Sequence, residues 1–159
     1  MKRRISMILA VLMLCISISA YAEEVPQFSD ELFTTAKQAM IYLSSGEYER
    51  LVTLLPFSDV SPSAAEWQSF AEGNFLSFEN VQTEYSVAYW TGIDWKLAVP
   101  VTEPTGGEVE AMVLTSADGM AFSGYRYSLW ADVELEYEAA EYVTWNKEFV
   151  EAMPVIAVD

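Results

Sequence analysis

The residues from Val81 to Val101, VQTEYSVAYWTGIDWKLAVPV, constrain the fold more than any other stretch of this chain. Val81, Thr83, Tyr85, Val87 and Tyr89 alternate with Gln82, Glu84, Ser86, Ala88 and Trp90. Trp95, Leu97 and Val99 resume the alternation after Thr91-Gly92-Ile93-Asp94. β-Branched and aromatic side chains at period 2, interrupted once around a glycine, predict two strands and a tight turn. An isolated hairpin is marginal in water, so the pattern predicts a larger sheet with apolar cover. Of the two faces, the one carrying Tyr85 and Tyr89 is expected to turn inward on helices, leaving the Trp90 face to solvent or a partner.

Helices to cover such a sheet are written upstream. Ser29 is a good N-cap, with Asp30 and Glu31 in the first turn and Phe28 and Phe33 at hydrophobic-staple spacing. Phe33, Ala36, Met40 and Leu43 follow at helical spacing until Gly46. Tyr48, Leu51, Val52 and Leu55 predict a second helix that Pro56 stops, and Ser63 with Glu66 predicts a capped third helix carrying Trp67, Phe70 and Ala71. Beyond the hairpin, Glu108 to Thr115 reads as a strand and Asp118-Gly119 as a turn. Met120 to Tyr137 is strand-like but too long for one strand, so a bend is expected between Ser128 and Asp132. Tyr142, Trp145, Phe149 and Met153 fit a closing helical stripe. The fold class is therefore α+β: N-terminal helices packed on a curved, mostly antiparallel sheet.

Residues 1–22 read as a secretory signal peptide. Lys2, Arg3 and Arg4 precede an apolar run from Ile5 to Ile18, and Ala20-Tyr21-Ala22 has the small-x-small form of a cleavage site, so cleavage is expected after Ala22. That run is shorter than the roughly 20 residues of a spanning helix, and no stable membrane anchor is expected. Residues 23–159 then form a single domain in an extracytoplasmic or secreted protein. Cys15, the only cysteine, lies in the leader, so neither a disulfide nor a thiolate site is expected in the remainder.

Charge excludes more. The chain carries −16, and losing the three leader cations leaves 24 acids against Lys37, Arg50, Lys96, Arg126 and Lys147, or −19. Such a surface repels phosphate backbones, so no nucleic-acid partner is expected. The chain has no histidine, which removes Ser-His-Asp and Cys-His catalysis and imidazole metal ligation. No phosphate loop, nucleophile elbow or EF-hand pattern is present. No cofactor, metal site or catalytic residue is therefore assigned.

What chemistry is left belongs to carboxylates and aromatic rings. Asp132, Glu134, Glu136 and Glu138 alternate, and on a strand neighbours of this spacing would lie about 7 Å apart, near what an inverting glycosidase needs. With no cation among them they read instead as a solvated face or an edge-blunting row. Trp90 and Trp95 flank the hairpin turn, where a ring is often half covered, and are the first candidates for ligand contact. Tyr85, Tyr89, Tyr125 and Tyr127 complete the candidate set, as hydroxyls able to line a pocket. Arg126 alternates with Tyr125 and Tyr127 onto the opposite face, where pairing with a glutamate is expected.

The segment Ala36 to Leu55 (AKQAMIYLSSGEYERLVTLL), followed by a third helix and the strand succession from Phe78 to Leu129, resembles the nuclear transport factor 2-like superfamily, including its SnoaL-like members. The resemblance implies a cone, a curved sheet wrapped around the helices, with a pocket between the two layers. It implies no chemistry, because the His-Asp pair of catalytic members has no counterpart here. The expected function is a non-catalytic exported bacterial domain that binds a small molecule, peptide or protein partner. The alternatives are a carboxylate- and tyrosine-dependent hydrolase or isomerase, and an assembly module forming a homodimer through its sheet.

Overall fold

The computed structural model describes residues 25–57, 61–74, 76, 80–102 and 107–146. Three helices come first: α1 (Asp30–Ser45), α2 (Tyr48–Leu54) and α3 (Ala64–Gly73). The sheet strands are β1 (Val87–Trp90), β2 (Trp95–Val101), β3 (Glu110–Ser116), β4 (Gly124–Leu129) and β5 (Val143–Trp145), with helix α4 (Trp130–Ala139) between the last two. All pairings are antiparallel and the order is β4-β3-β2-β1-β5, so the curved sheet stays open between β4 and β5. The molecule is α+β, with the N-terminal helices packed on an antiparallel sheet, as the sequence predicts.

Local signals set the helix ends. The Ser29 hydroxyl accepts from the Glu31 N–H, and the staple closes with the Phe28 and Phe33 rings 5.4 Å apart. Gly46 ends α1 in the left-handed conformation, at φ 76°. At α3 the capping box is complete: Ser63 Oγ accepts from the Glu66 N–H, and the Glu66 carboxylate accepts from the Ser63 N–H at 2.7 Å. That backbone bond, with the one from the Ser63 hydroxyl, holds the Glu66 carboxyl below its ordinary pKa. The two turns follow prediction as well. Gly92 sits at φ 96° with open space around it, whereas Gly119, at φ 73°, admits no side chain because a Cβ would overlap the Gln27 carbonyl. The Ser29 N–H donates to the Gly119 carbonyl at 2.9 Å, which ties the β3–β4 turn to the start of α1.

The sheet has two covered faces. Ala88, Leu97, Val99, Met112 and Leu114 meet α1–α3 in the main core, together with Leu32, Ala36, Met40, Leu43, Leu51 and Trp67. Phe57, Trp67, Phe70 and Tyr125 interlock there, with Trp67 and Tyr125 centroids 4.5 Å apart. On the opposite face Val87, Tyr89, Ala98, Ala111 and Val113 are sealed by Val133 of α4, with Trp130, Tyr137, Ala140 and Trp145 packed around them. Each face therefore loses its apolar residues to a helix layer, three helices on one side and one on the other.

Several expectations are corrected. The first strand begins only at Val87: Thr83–Tyr85 is a 3₁₀ turn, and Val81 makes a lone bridge to Val101. The orientation of the hairpin is the reverse of that expected, for Ala88 and Trp90 face α1–α3 while Tyr89 lies on the other side. Met120 to Tyr137 is not a bent strand, since α4 begins at Trp130 and places the alternating acids around a helix. The residues around Tyr142 and Trp145 enter β5 rather than a helix, because β1 offers an unpaired edge there. Phe149, Met153 and the leader lie outside the described residues.

Candidate functional site

The rings proposed from the sequence do not converge. Trp95 is core: it is 5% exposed, donates its indole N–H to the Pro26 carbonyl at 2.7 Å and packs against Phe28. Tyr125 stacks in the aromatic cluster under α2 and α3, where burial, and then the Glu66 charge, raise its hydroxyl pKa. Tyr127 abuts Phe70 on the same face, with ring centroids 5.4 Å apart. Tyr85, in the 3₁₀ turn, is 43% exposed. Among the described residues the space between helices and sheet, where the cone reading puts a pocket, is closely packed. The void bounded by Met40, Leu43, Leu51, Trp67, Met112 and Leu114 measures about 10 Å³, too small and too apolar for a water.

Trp90 and Tyr89 do reach a concave surface. It is a cleft of about 480 Å³ between the β1–β2 turn and the C-terminal end of α4. One wall is Tyr89, Trp90, Thr91 and Gly92; the other is Glu136, Ala139, Ala140 and Glu141. The backbone binds the walls together, since the Trp90 N–H donates to the Tyr142 carbonyl at 3.0 Å. The turn is rigid: Thr91 Oγ1 lies 2.7 Å from Asp94 Oδ1 and accepts from the Asp94 N–H at 3.2 Å, while the Thr91 N–H donates to the Asp94 carbonyl at 2.9 Å.

At the cleft floor is a polar cluster made from three elements. Tyr89 of β1 donates its hydroxyl to Glu136 Oε2 at 2.6 Å. Arg126 of β4 reaches over the sheet face from the row Val87–Ala98–Val113–Arg126, and its Nη2 donates to both Glu136 oxygens at 2.5 and 2.6 Å. The glutamate pairing expected of Arg126 is thus present, on a helix that the alternation hid. Burial first, and then the bond to the Glu136 carboxylate, push the Tyr89 hydroxyl well above its ordinary pKa. It is a fixed donor at neutral pH, unsuited to act as a base. Glu136 has both oxygens held, so the proton-acceptor role in an acid–base mechanism is already occupied.

Sequence reasoning missed Glu136 and Glu141 as wall residues. The signal that could have found them is the spacing Trp130, Val133, Tyr137, Ala140, a helical 3-4-3 pattern lying under the alternation of acids. Among the described residues no group of three or more acids is placed to hold a metal ion, and no helix is long and apolar enough to cross a membrane. No family model matches the chain, and neither a curated protein nor a solved structure does.

Proposed function

We propose that this chain is an exported, non-catalytic binding domain whose ligand site is the cleft between the β1–β2 turn and α4. The observation that carries the reading is that Trp90, named from the sequence, meets the Tyr89–Glu136–Arg126 cluster at one cleft of about 480 Å³, while the void found among the described residues between the helices and the sheet measures about 10 Å³. A cleft of that size suits a small ligand or one or two side chains of a peptide. Its chemistry favours a cation. Glu141 lines the cleft with no cation beside it among the lining residues, Arg126 is spent on Glu136, and the chain carries −16. The leader-like residues 1–22 support export, and the order of three helices before the sheet supports kinship with the nuclear transport factor 2-like superfamily. The helix after β4 departs from that pattern.

The test is thermal unfolding with a panel of primary amines, quaternary ammonium compounds, monosaccharides and carboxylates. Ammonium compounds are expected to stabilise the protein, by about 2.7 kcal/mol at a hundredfold excess over Kd. Glu141→Gln is expected to abolish that gain without changing the unliganded stability by more than about 1 kcal/mol. A panel in which nothing shifts the midpoint, or in which carboxylates do so as well as amines, would overturn the reading.

A further inference from the structure

A second concave surface lies at the N-terminal end of α4, apart from the cleft at its C-terminal end. Its lining is Glu108 and Val109 ahead of β3, Leu129 at the end of β4, and Trp130, Ala131 and Glu134 in the first turns of α4, around about 240 Å³. The chain folds into this shape because the Trp130 N–H donates to the Val109 carbonyl at 2.8 Å, extending the β3–β4 ladder into the start of the helix. The Trp130 indole is then pinned along α4 by its bond to Glu134 Oε1 at 3.0 Å.

This groove is apolar and open. Val109, Leu129 and Leu135 are among the few large aliphatic side chains left in solvent, and Leu135, one turn along α4 from Ala131, is 69% exposed. Scattered surface aliphatics need no explanation, but two that line one groove, with a third one turn farther along the same helix, do. Around them the charge has one sign. α4 contains Asp132, Glu134, Glu136 and Glu138 and no base, and Glu108 closes the far rim. Of the described cations, Arg50, Lys96 and Arg126 are engaged with Glu47, Asp94 and Glu136. None of these three pairs involves the rim acid Glu108.

We infer that the groove between the β3–β4 end and α4 is a docking surface for a basic, amphipathic polypeptide segment, with an aliphatic side chain seated on Val109 and Leu129, a second reaching along α4 to Leu135, and flanking lysines or arginines on Glu108 and the α4 acids. Charge complementarity selects this occupant. A second copy of the chain would set α4 acids against α4 acids, and an anionic membrane or a nucleic acid would be repelled by the same rim. The surface does not depend on the cleft at Trp90, so the two readings stand or fall separately.

The experiment is an amide chemical-shift titration of the ¹⁵N-labelled protein with three short synthetic peptides: one alternating leucines with lysines, one with serine for leucine, and one with glutamate for lysine. The leucine–lysine peptide is expected to perturb Val109, Leu129, Ala131 and Leu135, and to bind about tenfold more tightly than the serine analogue. Leu135→Ser is expected to remove about that tenfold. Glu108→Gln, a change at an exposed rim position, is expected to weaken binding and flatten its salt dependence. Four results would overturn the inference: no binding, equal binding of the leucine and serine peptides, binding of the glutamate peptide, or perturbations centred on Thr91, Gly92 and Ala140.

Discussion

At the scale of single residues, Tyr89 shows how one side chain joins a core to a surface. Its ring is fully buried against Val87, Ala98 and Val133, yet its hydroxyl reaches Glu136 at the cleft floor. Tyr89→Phe keeps the ring and deletes the donor. Glu136 keeps Arg126, so the expected loss is about 1 kcal/mol in urea unfolding rather than the larger cost of an orphaned charge. The pH dependence has a definite sign. The folded-state pKa is raised above the unfolded value near 10, so the contribution is whole below about pH 10 and is lost as the pH climbs beyond it. Tyr89→Phe is therefore expected to flatten the alkaline fall in stability, followed as unfolding free energy against pH. An unchanged alkaline limb would mean that the hydroxyl is not held as described.

At the scale of elements, α4 is held by few buried side chains. Of its ten residues only Val133 is buried, against six buried residues in the sixteen of α1. Trp130 and Tyr137 add partly buried rings, Tyr89 a hydrogen bond, and the Arg126–Glu136 pair, whose side chains are more than a third exposed, about 0–1 kcal/mol. Val133→Ala is accordingly expected to cost about 2 kcal/mol. The loss should appear first as faster amide exchange in Trp130–Ala139, with α1 and β2 unaffected. Uniform acceleration across the molecule would show instead that α4 unfolds only with everything else. Both concave surfaces use α4 as a wall, so loosening this helix is expected to weaken binding at each.

At the scale of the whole molecule, charge opposes compactness. With −16 on the chain, self-repulsion destabilises the folded state, and 0.15 M salt screens it beyond about 8 Å. The same salt weakens the Arg50–Glu47, Lys96–Asp94 and Arg126–Glu136 pairs, but these are local and worth little each. Repulsion is the larger quantity. Raising sodium chloride from low concentration to 0.2 M is expected to increase stability by about 1 kcal/mol, or about 4 °C in Tm. A fall in Tm would show that the ion pairs outweigh the field. On this scale, too, pairing of two copies through the outer sheet face loses its surface, because Val87, Tyr89, Ala98, Ala111 and Val113 are already under α4.

The features that the sequence by itself determines are those written within a few residues: the caps at Ser29 and Ser63, the glycine turns at Gly92 and Gly119, the α1 stripe, and the α+β class that follows from their order. Each depends on bonds or spacings inside one turn or one strand, so no distant partner has to be known. Alternation shows that Tyr89 and Trp90 point in opposite directions, but not which direction is covered by which helix. Period 2 in the acids of residues 132–138 coexists with period 3.6 in Trp130, Val133, Tyr137 and Ala140. Only the apolar floor of Tyr89 and Val113 beneath Val133 decided between them. The fate of Trp90 follows from the same choice. Because α4 rather than another strand crosses the back of the sheet, the Trp90 end of the hairpin became one wall of a cleft, and Glu136 and Glu141 the other.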